Sequence, residues 1–288
     1  MNAETPDHAL SFGAVADAYD RARPSYPAEA ARWLTGNGKL TVLELGAGTG
    51  KLTEVLVGAG HRVIATDPLP EMLTRLRARV VPFAIGVSGA EAIPSPSRSV
   101  DVVVCAQSFH WFDHARALPE IARVLRPGGV LALVWNQRDE GIPWVKRLGR
   151  IIGTEGQDED LVKPIRDSAL FGFIEEAKFR TWQRLDRDSL LDLVRSRSYV
   201  ATLDDDARLA VLAKVLELYD DYGRGHDGML LPYVTRCFRA TVQHPPDPPP
   251  RPERSTEHAF EATGVEETEP PEPPEPPEDP GTLLIDFH

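Results

Sequence analysis

Val42-Leu43-Glu44-Leu45-Gly46-Ala47-Gly48-Thr49-Gly50 runs from an apolar segment into three glycines at alternate positions, and a helical pattern follows at once. Residues 40–45 read as a strand, and Leu52, Val55 and Leu56 share one face of a helix over 50–58. A glycine loop at this junction permits positive φ and lets a ligand approach the backbone with no Cβ in the way. At the carboxyl end of a first strand, such a loop forms the floor of a crevice for a nucleotide-like ligand. One glycine would suit a tight turn equally well; three favour the ligand floor. The spacing is G-x-G-x-G, not the G-x-G-x-x-G that sets a pyrophosphate at a helix N-terminus. Glu44, two residues before the first glycine, suits a ligand with a cationic end, such as the amino group of a methionine moiety.

Outward from the loop, strand and helix patterns alternate. Apolar runs at 62–67, 80–85, 100–106 and 129–135 read as further strands, and the consecutive valines 102 to 104 suit a strand buried on both faces. Helical patterns at 28–34, 70–79 and 113–125 complete the alternation; Pro119 is expected to restart the last helix, and Arg126-Pro127-Gly128-Gly129 to stop it. Past Trp135, 173–185 reads as a strand, 188–200 and 204–222 as two helices, and 230–242 as a last strand. The pattern predicts a doubly wound, Rossmann-like α/β fold: a seven-stranded, mostly parallel sheet with a small helical cap insertion at about 188–222.

The chain of 288 residues carries a formal charge of −12, but unevenly. Residues 244–288 hold 12 of the 44 acidic and 2 of the 32 basic side chains, with 13 of the 26 prolines. This segment cannot bury enough apolar surface to offset its ordering entropy, so it is expected to be a disordered Pro/Glu-rich tail beside a domain over 1–243. Its apolar end, Leu283-Leu284-Ile285-Asp286-Phe287, could dock a partner, whose nature is unknown. The domain is nearly neutral and lacks the basic stripe of a nucleic-acid binder. No apolar run suggests a membrane span, and two cysteines are too few for a disulfide framework. A cytoplasmic protein follows as the expectation, with Cys105 a buried thiol; His114, His226 and Glu140 show no metal-ligand spacing, so no metal is expected.

Asp67 ends the second strand, 23 residues after Glu44. In two-strand nucleotide folds a carboxylate here accepts hydrogen bonds from ribose hydroxyls. Alone it would serve as well as a helix cap; paired with the glycine loop it favours the ribose role.

These segments resemble the first two motifs of the class I S-adenosylmethionine-dependent methyltransferases, in residues 44 to 50 and in Asp67-Pro68-Leu69-Pro70-Glu71-Met72-Leu73. Ser99 to Phe112, the fourth strand and its exit loop, and Arg123 to Leu131, the helix and glycine turn before strand five, are also similar. Phe12 to Asp20 followed by Arg23-Pro24-Ser25-Tyr26-Pro27 resembles the opening of the trans-aconitate-methyltransferase-like branch. The resemblance implies that Gly46, Ala47, Gly48 and Gly50 shape the loop under the methionyl and ribose parts of S-adenosylmethionine. It places Glu44 beside the methionyl amino group, directly or through water, and Asp67 on the ribose. Pro68 and Met72 would line the adenine pocket, Gln107 would sit near the sulfonium, and Tyr19 and Arg23 would close over the methionyl end. Where the family often reads D-A-E-x-L-P, this chain has Gly89-Ala90-Glu91-Ala92-Ile93-Pro94, so Ala90 backbone or Glu91 would have to hold the base.

The implied reaction is methyl transfer to a small-molecule acceptor, at oxygen or nitrogen, a carboxylate among the candidates. Because the methyl is already activated, alignment is the main task, and a base is needed only if the acceptor must lose a proton. His110 is the candidate base, with loop or pocket support as its alternative role. Two other readings compete: a NAD-dependent oxidoreductase, disfavoured by the glycine spacing and Glu44, and a non-catalytic S-adenosylmethionine-binding regulatory protein.

Overall fold

The computed structural model describes residues 23–153, 160–197, 200, 202–222 and 228–243. Tyr19, the segment 12–20 and the 244–288 tail lie outside the described residues.

The elements run α1 (Ala28–Thr35), β1 (Thr41–Leu45), α2 (Lys51–Gly58), β2 (Arg62–Asp67), α3 (Pro70–Arg79), β3 (Ala84–Val87), β4 (Val100–Ala106), a short 3-10 turn (Phe109–Trp111), α4 (His114–Val124) and β5 (Leu125–Arg138). Then follow α5 (Pro143–Ile152), α6 (Lys163–Asp167), β6 (Phe171–Leu185), α7 (Arg187–Arg195), α8 (Asp205–Tyr222) and β7 (Met229–Val242). The strands form one sheet of seven in the order β3-β2-β1-β4-β5-β7-β6. β7 runs antiparallel to both of its neighbours, and the pairings among β1 to β5 are parallel. This is the Rossmann-like α/β fold expected from the alternating pattern.

Residue chemistry explains the layering. β1, β4 and the middle of β5 are buried on both sides, so their apolar residues feed two cores. Leu43, Leu45, Val103, Leu131 and Leu133 pack with Leu118 and Ile121 of α4, while Val42, Val102, Val104 and Val134 pack with Leu34 of α1 and Leu52 and Leu56 of α2. A third core joins α5, α7 and α8 to the start of β7 through Val145, Leu148, Leu190, Leu193, Val215, Leu218 and Leu231. Chain order reverses direction between β1 and β4, so their carboxyl ends diverge into two connections and leave a crevice there.

Several boundaries depart from expectation, each for a physical reason. α4 runs unbroken through Pro119, which is exposed; burial of Ala117, Leu118, Ile121 and Ala122 on the opposite side outweighs one missing amide bond. β5 begins at Leu125, before the Pro-Gly-Gly turn, and its pairing with β4 shifts register between Val100 and Val102 to absorb the extra residues. β3 starts at Ala84 and not at Val80, because the Val80 N–H still closes α3 onto the Leu76 carbonyl and Pro82 has no amide to donate. α7 stops at Arg195, where Ser196 Oγ donates to the Leu193 carbonyl. α5 and α6 were not anticipated, although Val145, Leu148 and Ile152 recur at helical spacing.

Both cysteines are buried free thiols, as expected of Cys105, and burial pushes the Cys237 thiol up to about 12. Among the described residues, no helix is long and apolar enough to cross a membrane.

Candidate active site

The carboxyl ends of β1, β2 and β4 lie level. Leu45 is paired with Thr66, and Glu44 with both Ala65 and Val104. The glycine loop caps this edge. Ala47 N–H donates to the Thr66 carbonyl at 2.9 Å and Gly50 N–H to the Ala47 carbonyl at 3.0 Å, which tie the loop to β2 and to itself. Gly46, Gly48 and Gly50 all have positive φ, at 68°, 56° and 83°. At Gly46 and Gly50 a side chain is excluded as well as disfavoured: added Cβ atoms would lie 2.6 Å from Ser108 Cβ and 2.7 Å from Leu76 Cγ. No atom lies within 4 Å of where a Cβ on Gly48 would stand, so its conformation alone accounts for the glycine there.

Asp67 is the hub. Its Oδ2 accepts from Gly48 N–H at 2.8 Å and its Oδ1 from Leu69 N–H at 2.9 Å, so one carboxylate joins the β1 loop to the start of α3. Burial raises its carboxyl above the usual aspartate range, against the lowering effect of those two N–H groups. Beneath the loop, Glu44 is 1% exposed, and its Oε2 accepts from Thr53 Oγ1 at 2.6 Å. Burial pushes Glu44 up to about 8; the Thr53 hydroxyl opposes this and the charge of Asp67 adds to it. Both carboxyl groups are held above their ordinary ranges, so a cationic ligand bound beside them would favour their ionised forms.

The β4 exit forms the other wall. Gln107 takes φ 53°, rare for a residue with a side chain, and its N–H donates to the Val134 carbonyl at 2.9 Å. That sharp turn brings Ser108 Oγ within 2.7 Å of the Leu45 carbonyl, which accepts from it. The next three residues form the 3-10 turn, with Phe109 buried, His110 exposed, and the His110 ring 4.8 Å from that of Trp111. Trp111 is 77% exposed at the same turn.

Comparison with known proteins fits this geometry. A family model described as a methyltransferase domain matches residues 43–133, the segment from β1 into β5. An uncharacterized methyltransferase of Mycobacterium bovis is 46% identical over 249 residues, covering 84% of this chain and 100% of its own. The chain belongs to the methyltransferase family. An uncharacterized methyltransferase-like protein of Schizosaccharomyces pombe is 36% identical over 239 residues, covering 78% of this chain and 93% of its own. A solved putative type II methyltransferase from Anaeromyxobacter dehalogenans superposes with a TM-score of 0.55 at 26% identity, over 77% of this chain and 97% of that one. The protein is an S-adenosylmethionine-dependent methyltransferase.

The remaining predicted residues of this methyltransferase fall around the crevice unequally. Pro68 is exposed and Met72 half-buried at the start of α3, just past Asp67. Ala90 is buried in the core, following β3. Glu91 accepts from Asp113 N–H at 2.9 Å and thereby helps hold the start of α4. Its other oxygen lies 2.7 Å from where a Cβ on Gly89 would stand, so a side chain at Gly89 would move the flexible end of Glu91. Arg23 stands half-buried at a bend five residues before α1. Sequence reading missed Ser108 and Thr53. Thr53 is the residue three past Gly50 on the buried side of α2, a position the Leu52 and Leu56 spacing already marked; Ser108 carried no local signal.

Proposed function

We propose that this methyltransferase binds S-adenosylmethionine across the glycine loop and Asp67 and transfers its methyl group to a small-molecule acceptor at oxygen or nitrogen. The observation that carries this is the Asp67 carboxylate, fixed by Gly48 and Leu69 amides at the mouth of a bare-backbone loop. The residues fit the cofactor: Gly46 and Gly50 leave no room for side chains of their own, and Glu44 and Asp67 are carboxyl groups whose ionised forms a cationic ligand would favour. When bound, the cofactor supplies a methyl group on a positively charged sulfur. Asp67 accepts hydrogen bonds from the ribose hydroxyls with its remaining lone pairs. Glu44 acts from beneath the loop as a carboxyl group that a methionyl ammonium, directly or through water, would draw into its ionised form. Pro68, Met72, Ala90 and Glu91 border the adenine, and the Ala90 backbone meets it, since Glu91 is occupied with Asp113.

Gln107 faces the reacting carbon from the end of β4 and helps align acceptor, methyl and sulfur in line. Alignment of this kind supplies several powers of ten in rate. His110 takes the acceptor proton where there is one to lose; with a carboxylate acceptor it only positions. Tyr19 and Arg23 close over the methionyl end. The opening segment and Arg23-Pro24-Ser25-Tyr26-Pro27 support placement in the trans-aconitate-methyltransferase-like branch.

The test is incubation of cell extract with the protein and isotopically labelled S-adenosylmethionine, followed by mass spectrometry. A small molecule gaining the label is the expected result. Label found only in protein or nucleic acid would overturn the acceptor class, and saturable binding of NAD without S-adenosylhomocysteine would overturn the cofactor.

A further inference from the structure

Glu44 shares a face of β1 with Val42, and that face packs against α2. A single hydroxyl meets its carboxyl there. Thr53 Oγ1 donates to Glu44 Oε2 at 2.6 Å, with Thr53 at 0% and Glu44 at 1% exposure. Glu44 Oε1 makes no hydrogen bond among the described residues. The carboxyl is thus gripped by one oxygen and open to a partner at the other.

Thr53 spends its hydroxyl differently from the other two helical threonines among the described residues. Thr35 Oγ1 in α1 donates to the Ala31 carbonyl at 3.0 Å, and Thr74 Oγ1 in α3 to the Pro70 carbonyl at 3.1 Å. Each bonds back four residues along its own helix, a common use of a threonine hydroxyl in a helix. The carbonyl four residues before Thr53 belongs to Thr49, and it accepts from Arg79 Nε at 3.0 Å. Thr53 turns across to β1. A buried carboxyl oxygen without a donor is costly, and a hydroxyl donated to it favours the ionised form. The other titratable groups facing Glu44 are Asp67, at the end of β2, and the Cys105 thiol of β4. Thr53 hydrogen-bonds to neither, so its effect falls on Glu44 alone.

We propose that Thr53 is a positioning residue for the donor: its hydroxyl fixes one oxygen of Glu44 so that Oε1 meets the methionyl ammonium, directly or through water, and it thereby sets how donor binding depends on pH. This rests on the proposed S-adenosylmethionine reading and deepens it. An ammonium beside Glu44 favours the carboxylate, so where the free carboxyl holds its proton, binding releases that proton to solvent. Affinity then rises with pH until Glu44 is ionised in the ligand-free protein. Removing the Thr53 hydroxyl disfavours the carboxylate and moves this rise to higher pH.

Calorimetric titration of S-adenosylhomocysteine into the parent, Thr53→Val and Thr53→Ser between pH 6 and 9 tests this, with 5′-methylthioadenosine, which has no ammonium, as the second probe. In Thr53→Val the rise is expected to move up by about one pH unit, which weakens S-adenosylhomocysteine about tenfold at pH 7. Thr53→Ser keeps the hydroxyl and is expected to restore the parent profile. At each pH, 5′-methylthioadenosine should bind the parent and Thr53→Val within twofold of each other. If Thr53→Val does not fold, Thr53→Ala takes its place. An unshifted profile in the folded variant, an equal shift in Thr53→Ser, or an equal loss of both ligands would overturn the positioning role. A parent that binds neither ligand would instead overturn the donor reading, and this role with it.

Discussion

Gly46 and Ser108 claim the same space. A Cβ at Gly46 would lie 2.6 Å from Ser108 Cβ, and Ser108 Oγ donates to the carbonyl of Leu45, the residue just before Gly46. The first glycine is therefore demanded both by a positive φ and by a side chain 62 positions later in the chain, and the two walls of the crevice are locked to each other through it. Gly46→Ala is expected to destabilise the fold by about 1–3 kcal/mol, combining left-handed strain with overpacking. Urea unfolding of Gly46→Ala and of the Gly46→Ala, Ser108→Gly double variant checks this. The double variant should recover the overpacking part and not the strain; equal loss in both would show that Ser108 is not the obstacle.

Glu44 predicts a pH dependence of stability. Its folded carboxyl is raised to about 8, far above the ordinary glutamate value of 4.5, so between those values the folded state holds a proton that the unfolded state has released. Its contribution is full below about 4.5 and is lost as pH rises through about 8, with a slope of at most about 1.4 kcal/mol per pH unit. Asp67 is shifted in the same direction, so it adds with the same sign. Urea unfolding at intervals from pH 5 to 9 should show stability falling with pH, and Glu44→Gln should flatten most of that fall. A parent whose stability rises over this window would contradict the assignment.

His110 is expected to matter for chemistry and not for donor binding. It is exposed on the 3-10 turn beside the strand-four exit, so His110→Asn should fold normally. With an acceptor that must lose a proton, kcat should fall by about 10²–10⁴, while S-adenosylhomocysteine affinity stays level. An unchanged kcat would leave His110 a supporting residue of the turn.

The Pro/Glu-rich tail is expected to contribute nothing to the domain's stability. Removing residues 244–288 should leave Tm and S-adenosylhomocysteine affinity nearly unchanged, because such a composition buries little apolar surface. A marked drop in either on thermal and calorimetric measurement would refute this.

What could be read in the sequence was what the backbone encodes locally. The glycine loop, Asp67 and the valine run of β4 sit within single strand-to-helix units, where periodicity and glycine spacing suffice. Ser108 could not be found that way, because its partner, the Leu45 carbonyl, lies 63 positions away and meets it across the sheet edge. Gly89 reads in the sequence as a missing carboxylate; the Glu91 side chain, folded back to within 2.7 Å of where a Cβ on Gly89 would stand, was not legible there. Pro119 misled because its local cost is plain in the sequence, whereas the burial that overrides it belongs to the tertiary fold.

The central claim is that a single carboxylate, Asp67, fixed by the amides of Gly48 and Leu69, holds the donor's sugar. Calorimetric titration of S-adenosylhomocysteine into the parent and into folded Asp67→Ala tests it most directly. The account predicts saturable binding to the parent and a loss of about 1–3 kcal/mol in the variant, roughly 5- to 150-fold in Kd. Equal affinity in the two proteins would contradict it.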